Sequence, residues 1–346
     1  MTPVTATTVR LVERFPQLTG EEMLSSLVPP PQFDHATFDT YRVDDSYPSQ
    51  GEAKDALAQF AVGAQPIAAR GLFSFGRKKQ RIDAPVKPGV YLDGGFGVGK
   101  THLLAAIYHA VPAQRKLFGS FIEYTALVGA LGYKNTVDLL RGTALVCVDE
   151  FELDDPGDTM VMTRLLGELV STGTRLAATS NTPPNALGEG RFAAQDFLRE
   201  IQGMADSFRT IRIDGVDFRQ RSLDSGASVE DEGDFDAALA TSAGGGTASD
   251  DDFRELIAHL AHVHPSRYIR LIDQIRAVGL REVTLLTDQS EALRFVAFVD
   301  RVYDAQLPIR ATGTPLNEVF SEEMLRGGYR KKYLRAISRL VASTHA

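Results

Sequence analysis

A glycine-rich turn between an apolar run and a helical pattern is the feature that most restricts how this chain folds. Residues 90–93 are suited to a buried strand, and an amphipathic helical pattern begins at Lys100. The turn has the spacing G-x-x-x-x-G-K-T, and its residues are Gly94, Gly95, Phe96, Gly97, Val98, Gly99, Lys100 and Thr101. A turn of this kind between a strand and a helix belongs to the βα units of parallel sheets.

The segments that follow the turn agree with such a sheet. Short apolar runs alternate with helical patterns such as residues 159–173. The runs that we predict to be strands are residues 89–94, 121–124, 143–150, 175–181 and 210–214. The alternation predicts an α/β fold with a parallel sheet flanked by helices.

The glycine-rich turn also has the chemistry of a phosphate-binding loop. Its glycines let successive backbone N–H groups surround a polyphosphate, and the helix contributes the positive end of its dipole. Lys100 is expected to contact the β- and γ-phosphates, and Thr101 is expected to bind Mg²⁺. The alternative is a turn that merely joins strand to helix.

Polar residues follow two of the later apolar runs. Asp149 is suited to hold the hydration shell of Mg²⁺, and Glu150 to orient and deprotonate the attacking water. The acidic Glu150 favours ATP over GTP, because small GTPases position this water with glutamine. Asn181 is expected to contact the γ-phosphate if its strand lies between the strands of the loop and of Asp149. The alternative for Asp149 and Glu150 is a strand end that faces solvent, and the alternative for Asn181 is an Asn-Thr-Pro turn without a ligand.

These elements, in this order, resemble those of the AAA+ P-loop ATPases. Four stretches sharpen the resemblance toward the ZapE family of cell-division ATPases, an AFG-like group, and they are residues 147–158, 178–184, 298–309 and 333–340. The resemblance implies Mg²⁺-dependent hydrolysis of ATP coupled to remodelling of the division ring through a partner of the FtsZ type. The single cysteine, Cys147, suits the reducing cytosol, and no run of about 18 uncharged apolar residues is present, so we expect a cytoplasmic protein. The resemblance implies association with the inner face of the membrane.

Two other functions are kept as alternatives. Residues 97–104, 38–42 and 48–50 resemble helicase loaders of the DnaC and DnaA type, which would make DNA a partner. The net charge of −8, from 45 acidic and 37 basic side chains, does not favour DNA binding through the overall field. The third alternative is a nucleotide-gated scaffold with little turnover, and the presence of Glu150 counts against it.

Several arginines and polar residues are further candidates by this resemblance. A ring of identical subunits requires an arginine from the neighbouring subunit to neutralise charge on the γ-phosphate. The candidates for this role are Arg191 and Arg199, while Arg294, Arg335 and Arg339 are better explained as solvated or salt-bridged side chains. The candidates that border the adenine are Tyr41, Arg42 and Gln50.

Composition and motifs divide the chain into five segments. We predict an N-terminal extension with the adenine-side residues (1–70), a mobile basic loop (71–89), the ATPase core (90–223), a disordered acidic and glycine-rich insertion (224–252) and a C-terminal α/β region that completes the domain (253–346). The insertion has too few large apolar residues to offset its ordering entropy. No internal repeat is visible, and the histidines at 259, 262 and 264 fit no zinc template well.

Overall fold

The computed structural model describes residues 6–63, 87–95, 97–151, 156–182, 203, 205–215 and 226–346. The chain divides into two compact units. One unit, here called the P-loop unit, comprises Thr19–Pro29 and Phe33–Asp217. The other, called the C-terminal unit, comprises Met1–Leu18, Pro30–Gln32 and Phe218–Ala346. The basic loop over residues 71–86, Phe96, Arg191 and Arg199 lie outside the described residues.

Strands and helices alternate along most of the described chain. In chain order the strands are β1 (Thr7–Val9), β2 (Gly89–Gly94), β3 (Lys116–Ser120), β4 (Leu145–Asp149), β5 (Arg175–Ser180), β6 (Phe208–Ile213), β7 (Thr247–Asp252), β8 (Ala277–Val283) and β9 (Ile309–Gly313). The α-helices are α1 (Gly20–Ser25), α2 (Pro48–Val62), α3 (Lys100–Ala110), α4 (Phe121–Leu131), α5 (Tyr133–Leu140), α6 (Pro156–Ser171), α7 (Phe235–Ala243), α8 (Phe253–Leu260), α9 (Tyr268–Leu271), α10 (Gln289–Asp304), α11 (Glu322–Arg326) and α12 (Arg330–Thr344). Short 3₁₀ turns join some of these elements.

The sheet of the P-loop unit has the order β3-β4-β5-β2-β6, and all of its neighbours are parallel. Strand β5 therefore lies between β2 and β4, which is the arrangement that the predicted contact of Asn181 requires. Helix α3 packs on this sheet through Leu103, Leu104 and Ile107, which are fully buried with Cys147 of β4. The parallel sheet flanked by helices confirms the predicted α/β fold.

One strand prediction in this unit is wrong. Residues 121–124 begin α4, and the strand beside β4 is the preceding segment, β3. The reason is a capping box, in which Glu123 accepts a hydrogen bond from the Ser120 N–H at 2.7 Å while the Ser120 hydroxyl accepts from the Glu123 N–H. Reciprocal caps of this kind satisfy two N–H groups at a helix start, so the apolar run continues as a helix.

The C-terminal unit has a parallel sheet of its own, in the order β1-β7-β8-β9. Helices α10 and α12 pack together and contribute Phe295, Phe298 and Tyr333 to a large apolar cluster. The prediction that residues 253–346 complete the ATPase domain is therefore wrong, because this region builds a separate sheet and core with residues 226–252 and the N-terminal segment.

The prediction of disorder over residues 224–252 is also wrong for the described part, residues 226–252. This segment forms α7 and the internal strand β7, and it buries Phe235, Leu239 and Ala248. Its acidic residues have defined partners: the Asp251 carboxylate accepts hydrogen bonds from the Leu11 and Val12 N–H groups at 3.0 and 3.2 Å. The average composition hides this pattern of buried apolar positions and paired carboxylates.

We expect Phe235→Ala to lower the free energy of unfolding of the C-terminal unit by about 3–5 kcal/mol, because it leaves a cavity under α7. Urea unfolding followed by circular dichroism measures this loss. Asp234→Ala, an exposed neighbour whose side chain caps nothing, is the control and should change little. Equal stabilities of Phe235→Ala and the parent would show that α7 does not pack on the sheet.

Two of the C-terminal arginines, Arg335 and Arg339, and one histidine, His259, have structural partners inside their own unit. Asp300 is buried and pairs with Arg335 at 2.6 Å and with Arg339. Burial alone would raise the pKa of Asp300, but the charges of Arg335, Arg339 and Arg301 together hold it below its ordinary value. The ring nitrogen of His259 lies 2.9 Å from the Arg14 carbonyl oxygen. Within the described ranges, no group of three or more His, Cys, Asp or Glu residues is placed to hold a metal ion.

Candidate nucleotide site

Three parallel strands bring the predicted site residues to one edge of the P-loop unit. Strands β2, β4 and β5 are neighbours, and their carboxyl ends carry Gly94, Asp149 and Asn181. The Lys100 ammonium donates hydrogen bonds to the Gly94 carbonyl oxygen and to Asn181 Oδ1, each at 2.8 Å, and also to the Gly95 carbonyl oxygen. The lysine and the asparagine, 81 residues apart in the chain, therefore meet at this edge.

The backbone of the loop requires glycine at several points. Gly97 and Gly99 have φ angles of 75° and 81°, in the left-handed region that side chains rarely adopt. A Cβ atom at Gly94 would lie 2.3 Å from the Ile213 carbonyl oxygen of β6, so this position tolerates no side chain. At Gly95 the space within 4 Å of a Cβ atom is open. Gly99 is the N-cap of α3 and offers no side chain to the first N–H groups of the helix.

The residues predicted to hold Mg²⁺ are adjacent. The Thr101 hydroxyl lies 3.1 and 3.3 Å from the two oxygens of the Asp149 carboxylate. Thr101 is in the first turn of α3, and Asp149 is the last residue of β4. A hydroxyl and a carboxylate oxygen are hard ligands of the kind that Mg²⁺ prefers, so this pair fits the ion by its chemistry.

A residue to which the sequence assigned no role, Thr179, connects the two acidic residues. The buried Thr179 hydroxyl donates a hydrogen bond to Asp149 Oδ1 and accepts one from the Glu150 N–H at 3.0 Å. Glu150 has a φ of 53°, which is uncommon for a residue with a side chain. Thr179 thus ties the turn after β4 to β5. The only sequence feature that could have indicated this role is the position of Thr179, two residues before Asn181.

The environment of Asp149 shifts the pKa of its carboxyl group upward from its ordinary value. Burial raises the pKa of Asp149, and the nearby charge of Glu150 raises it further. Hydrogen bonds from Thr179 and Thr101, and the charge of Lys100, act in the opposite direction.

Of the three upstream candidates, Tyr41 bonds directly to the loop. The Tyr41 hydroxyl donates to the Val98 carbonyl oxygen at 2.8 Å, and burial raises the pKa of Tyr41 to about 12, so the hydroxyl keeps its proton. The buried Gln50 side chain accepts from the Asp44 N–H and donates to the Asp214 carbonyl oxygen, both at 2.9 Å. Arg42 is exposed. Tyr41 therefore braces the loop, whereas Gln50 ties the segment at Asp44 to the residue after β6.

Similarity to known proteins extends over most of the chain. The sequence model of the AFG1-like ATPase family matches residues 25–237 and 235–346. The cell division protein ZapE of Escherichia coli K12 is 27% identical over an alignment of 366 residues, which covers 92% of this chain and 96% of ZapE. Lactation elevated protein 1 homolog B of Danio rerio is 27% identical over 157 residues, which covers 39% of this chain and 31% of that protein.

A solved structure of domain III of the replication initiation protein DnaA from Thermotoga maritima is also similar. It is 15% identical, with a TM-score of 0.39, and the match covers 77% of this chain and 80% of that domain. The overlap is too low to carry an argument about function.

The family match agrees with the resemblance that the sequence motifs indicated. It runs through the P-loop unit, which carries the glycine-rich loop, and continues through the C-terminal unit to the last residue. Since these ranges take in nearly the whole sequence, the chain belongs to the AFG1-like ATPases and is an ATPase.

Proposed function

We propose that this ATPase hydrolyses ATP with Mg²⁺ at the shared edge of β2, β4 and β5, and that the cycle remodels a division-ring assembly of the FtsZ type. The observation that carries the proposal is the convergence of Lys100, Thr101, Asp149 and Asn181 at that edge. Each of these side chains has the chemistry that a triphosphate and its metal ion require.

The residues of the site divide the work of hydrolysis. Thr101 and Asp149 would hold Mg²⁺, which when bound neutralises charge on the phosphates. The N–H groups of the loop and the Lys100 ammonium bind the phosphate oxygens. The Glu150 carboxylate accepts a proton from the attacking water, and the Asn181 amide helps to orient that water.

The site needs one more positive charge, which we assign to a neighbouring copy of this chain. The candidates remain Arg191 and, second to it, Arg199. If the arginine acts between subunits, turnover per chain rises with protein concentration until assembly is complete. Turnover that is independent of concentration over the range in which light scattering detects assembly would exclude this arrangement.

The division-ring partner is supported by the similarity to a cell-division protein along almost the full length of both chains. The helicase-loader alternative is less favoured because the chain carries a net charge of −8. In the described part of the chain, no helix is long and apolar enough to cross a membrane.

The experiment that tests this function is the ATPase rate measured with and without polymerised FtsZ, single-stranded DNA and duplex DNA. We expect FtsZ polymers to raise the rate and both forms of DNA to leave it unchanged. The Glu150→Gln variant, measured in parallel, shows how much of each rate belongs to this site. Stimulation by DNA alone would replace the division-ring proposal with the helicase-loader function.

A further inference from the structure

Three strands of the C-terminal unit repeat the part of the P-loop unit that carries the acidic residues. Strands β7, β8 and β9 are parallel neighbours in the same order as β3, β4 and β5. Asp252 of β7 pairs with Arg281 of β8 as Ser120 of β3 pairs with Asp149 of β4. The pairing of β7 with β8 therefore has the same register as the pairing of β3 with β4. Asp252 and Arg281 each lie the same number of residues after their counterparts, Ser120 and Asp149.

The second strand pair is matched in the same way, except that the connection before β9 is one residue longer than the connection before β5. Leu280 of β8 pairs with Ala311 of β9, as Val148 of β4 pairs with Ala178 of β5. Val148 lies one residue before Asp149, and Leu280 lies one residue before Arg281. Asp149 and Arg281 therefore occupy the same position in their strands. The register of all three strands is thus reproduced across the two units.

The connections between the strands are also alike. Helix α4 and helix α8 each begin with phenylalanine directly after a residue whose side chain accepts from the N–H of a glutamate three positions later. Helices α6 and α10 both have 16 residues. Each is followed after one further residue by a residue with positive φ, Gly173 at 96° and Gln306 at 55°. The next residue then donates a backbone hydrogen bond five positions back, at 3.0 Å in one unit and 3.1 Å in the other.

The turn that carries Glu150 is repeated in detail. Glu282 has a φ of 54°, and its N–H donates to the Thr312 hydroxyl at 3.0 Å. The corresponding values for Glu150 and Thr179 are 53° and 3.0 Å. A residue with a side chain seldom adopts this conformation, so its recurrence at the same place in the same register is strong evidence of a common design.

The residues that do the chemistry differ between the two copies. Arg281 occupies the position of Asp149, and Thr314 occupies that of Asn181. In the P-loop unit, Ala178 of β5 pairs with Tyr91 of β2, the strand that leads into the phosphate loop. In the C-terminal unit, the matching Ala311 of β9 is bonded instead by Glu230, whose backbone N–H donates to the Ala311 carbonyl oxygen at 2.8 Å. Residues 226–230 contain no glycine-rich loop.

Acidic residues of β7 and α7 hold the Arg281 side chain. Its guanidinium forms two hydrogen bonds to the Asp250 carboxylate, at 2.7 and 2.9 Å, and another to Asp236. It lies 4.2 Å from the centre of the Phe235 ring. A cation fixed at this position repels a divalent ion, and the carboxylate that Asp149 supplies in the P-loop unit is replaced by a guanidinium.

We infer that the C-terminal unit contains a second copy of the strand–helix–strand–helix–strand half of the ATPase core. We call it the silent copy, because it binds no nucleotide and has Arg281 at the position of Asp149. Each chain therefore binds one nucleotide, in the P-loop unit. The repeated threonine serves the turn in both copies, and in the active copy Thr179 has the added role of positioning the Asp149 carboxylate. This inference rests on the site proposed for the P-loop unit.

The two threonines provide a matched test. Thr179→Val and Thr312→Val each remove one hydroxyl from the same turn, so both should lower the melting temperature of their unit by similar amounts. Only Thr179→Val should lower ATP turnover, by about tenfold or more, and raise the Mg²⁺ concentration for half-maximal rate, as loss of a residue behind a metal ligand does. Thr179→Ser, which keeps the hydroxyl, should restore both values.

Equilibrium titration with a fluorescent ATP analogue and Mg²⁺ completes the test. We expect one nucleotide per parental or Thr312→Val chain, and no second site that keeps its affinity when Lys100→Ala weakens the first. Two nucleotides per chain, or a loss of turnover in Thr312→Val equal to that in Thr179→Val, would overturn the silent copy. Parental turnover and Mg²⁺ dependence in Thr179→Val would instead overturn the positioning role, and they would count against the site proposed in the P-loop unit.

Discussion

Replacement of Lys100 by alanine is expected to weaken ATP binding by about 100-fold or more and to remove measurable hydrolysis. The lysine supplies a positive charge between the ends of β2 and β5, and charge-assisted hydrogen bonds to phosphate contribute about 1.5–3 kcal/mol each. Isothermal titration calorimetry with a non-hydrolysable ATP analogue measures the affinity.

The control for this variant is Lys134→Ala, which removes an exposed lysine of α5 and should leave the affinity unchanged. Circular dichroism of both variants checks that the fold is intact. Parental affinity in Lys100→Ala would contradict the assignment of the phosphate loop.

Glu150→Gln should keep ATP affinity within a few-fold of the parent and slow hydrolysis by about 10²-fold or more, the range expected when a general base is removed. The substitution keeps the shape of the side chain and the bond from its N–H to Thr179. Steady-state turnover and ATP affinity, measured on the same preparation, separate the loss of chemistry from a loss of binding.

Glu282→Gln is the matched control, because Glu282 has the same backbone conformation and the same bond to a threonine hydroxyl in the C-terminal unit. It should hydrolyse ATP at the parental rate. A turnover of Glu150→Gln close to that of the parent would exclude Glu150 as the base.

The parts of the site that the sequence predicted are those encoded locally. The phosphate loop lies within eight consecutive residues, and its glycines, lysine and threonine each have a role that follows from residue type and spacing. Asp149, Glu150 and Asn181 were predicted because each follows an apolar run. Their convergence depends on β5 lying between β2 and β4, and the sheet has this order.

The parts that the sequence did not predict depend on contacts between distant segments. The bond between Thr179 and the Glu150 turn joins two strands whose register cannot be read from either one alone. The repeat of β3–β5 in β7–β9 is not visible in the sequence for a similar reason. Arg281 replaces Asp149, and the two units are alike in strand register and backbone conformation rather than in residue type. The acidic segment was misjudged because composition does not show that Asp250 and Asp251 have partners across the sheet.

Rapid acid quench of the Glu150→Gln variant, mixed with radiolabelled ATP and Mg²⁺, reads the chemistry of the P-loop site itself. The nucleotide bound to each chain is separated into ATP and ADP as a function of time, beside the parent and Glu282→Gln. We predict one bound nucleotide per chain that remains ATP in Glu150→Gln after the parent and Glu282→Gln have converted theirs to ADP. Conversion to ADP in Glu150→Gln at the parental rate would contradict hydrolysis by Glu150 at this site.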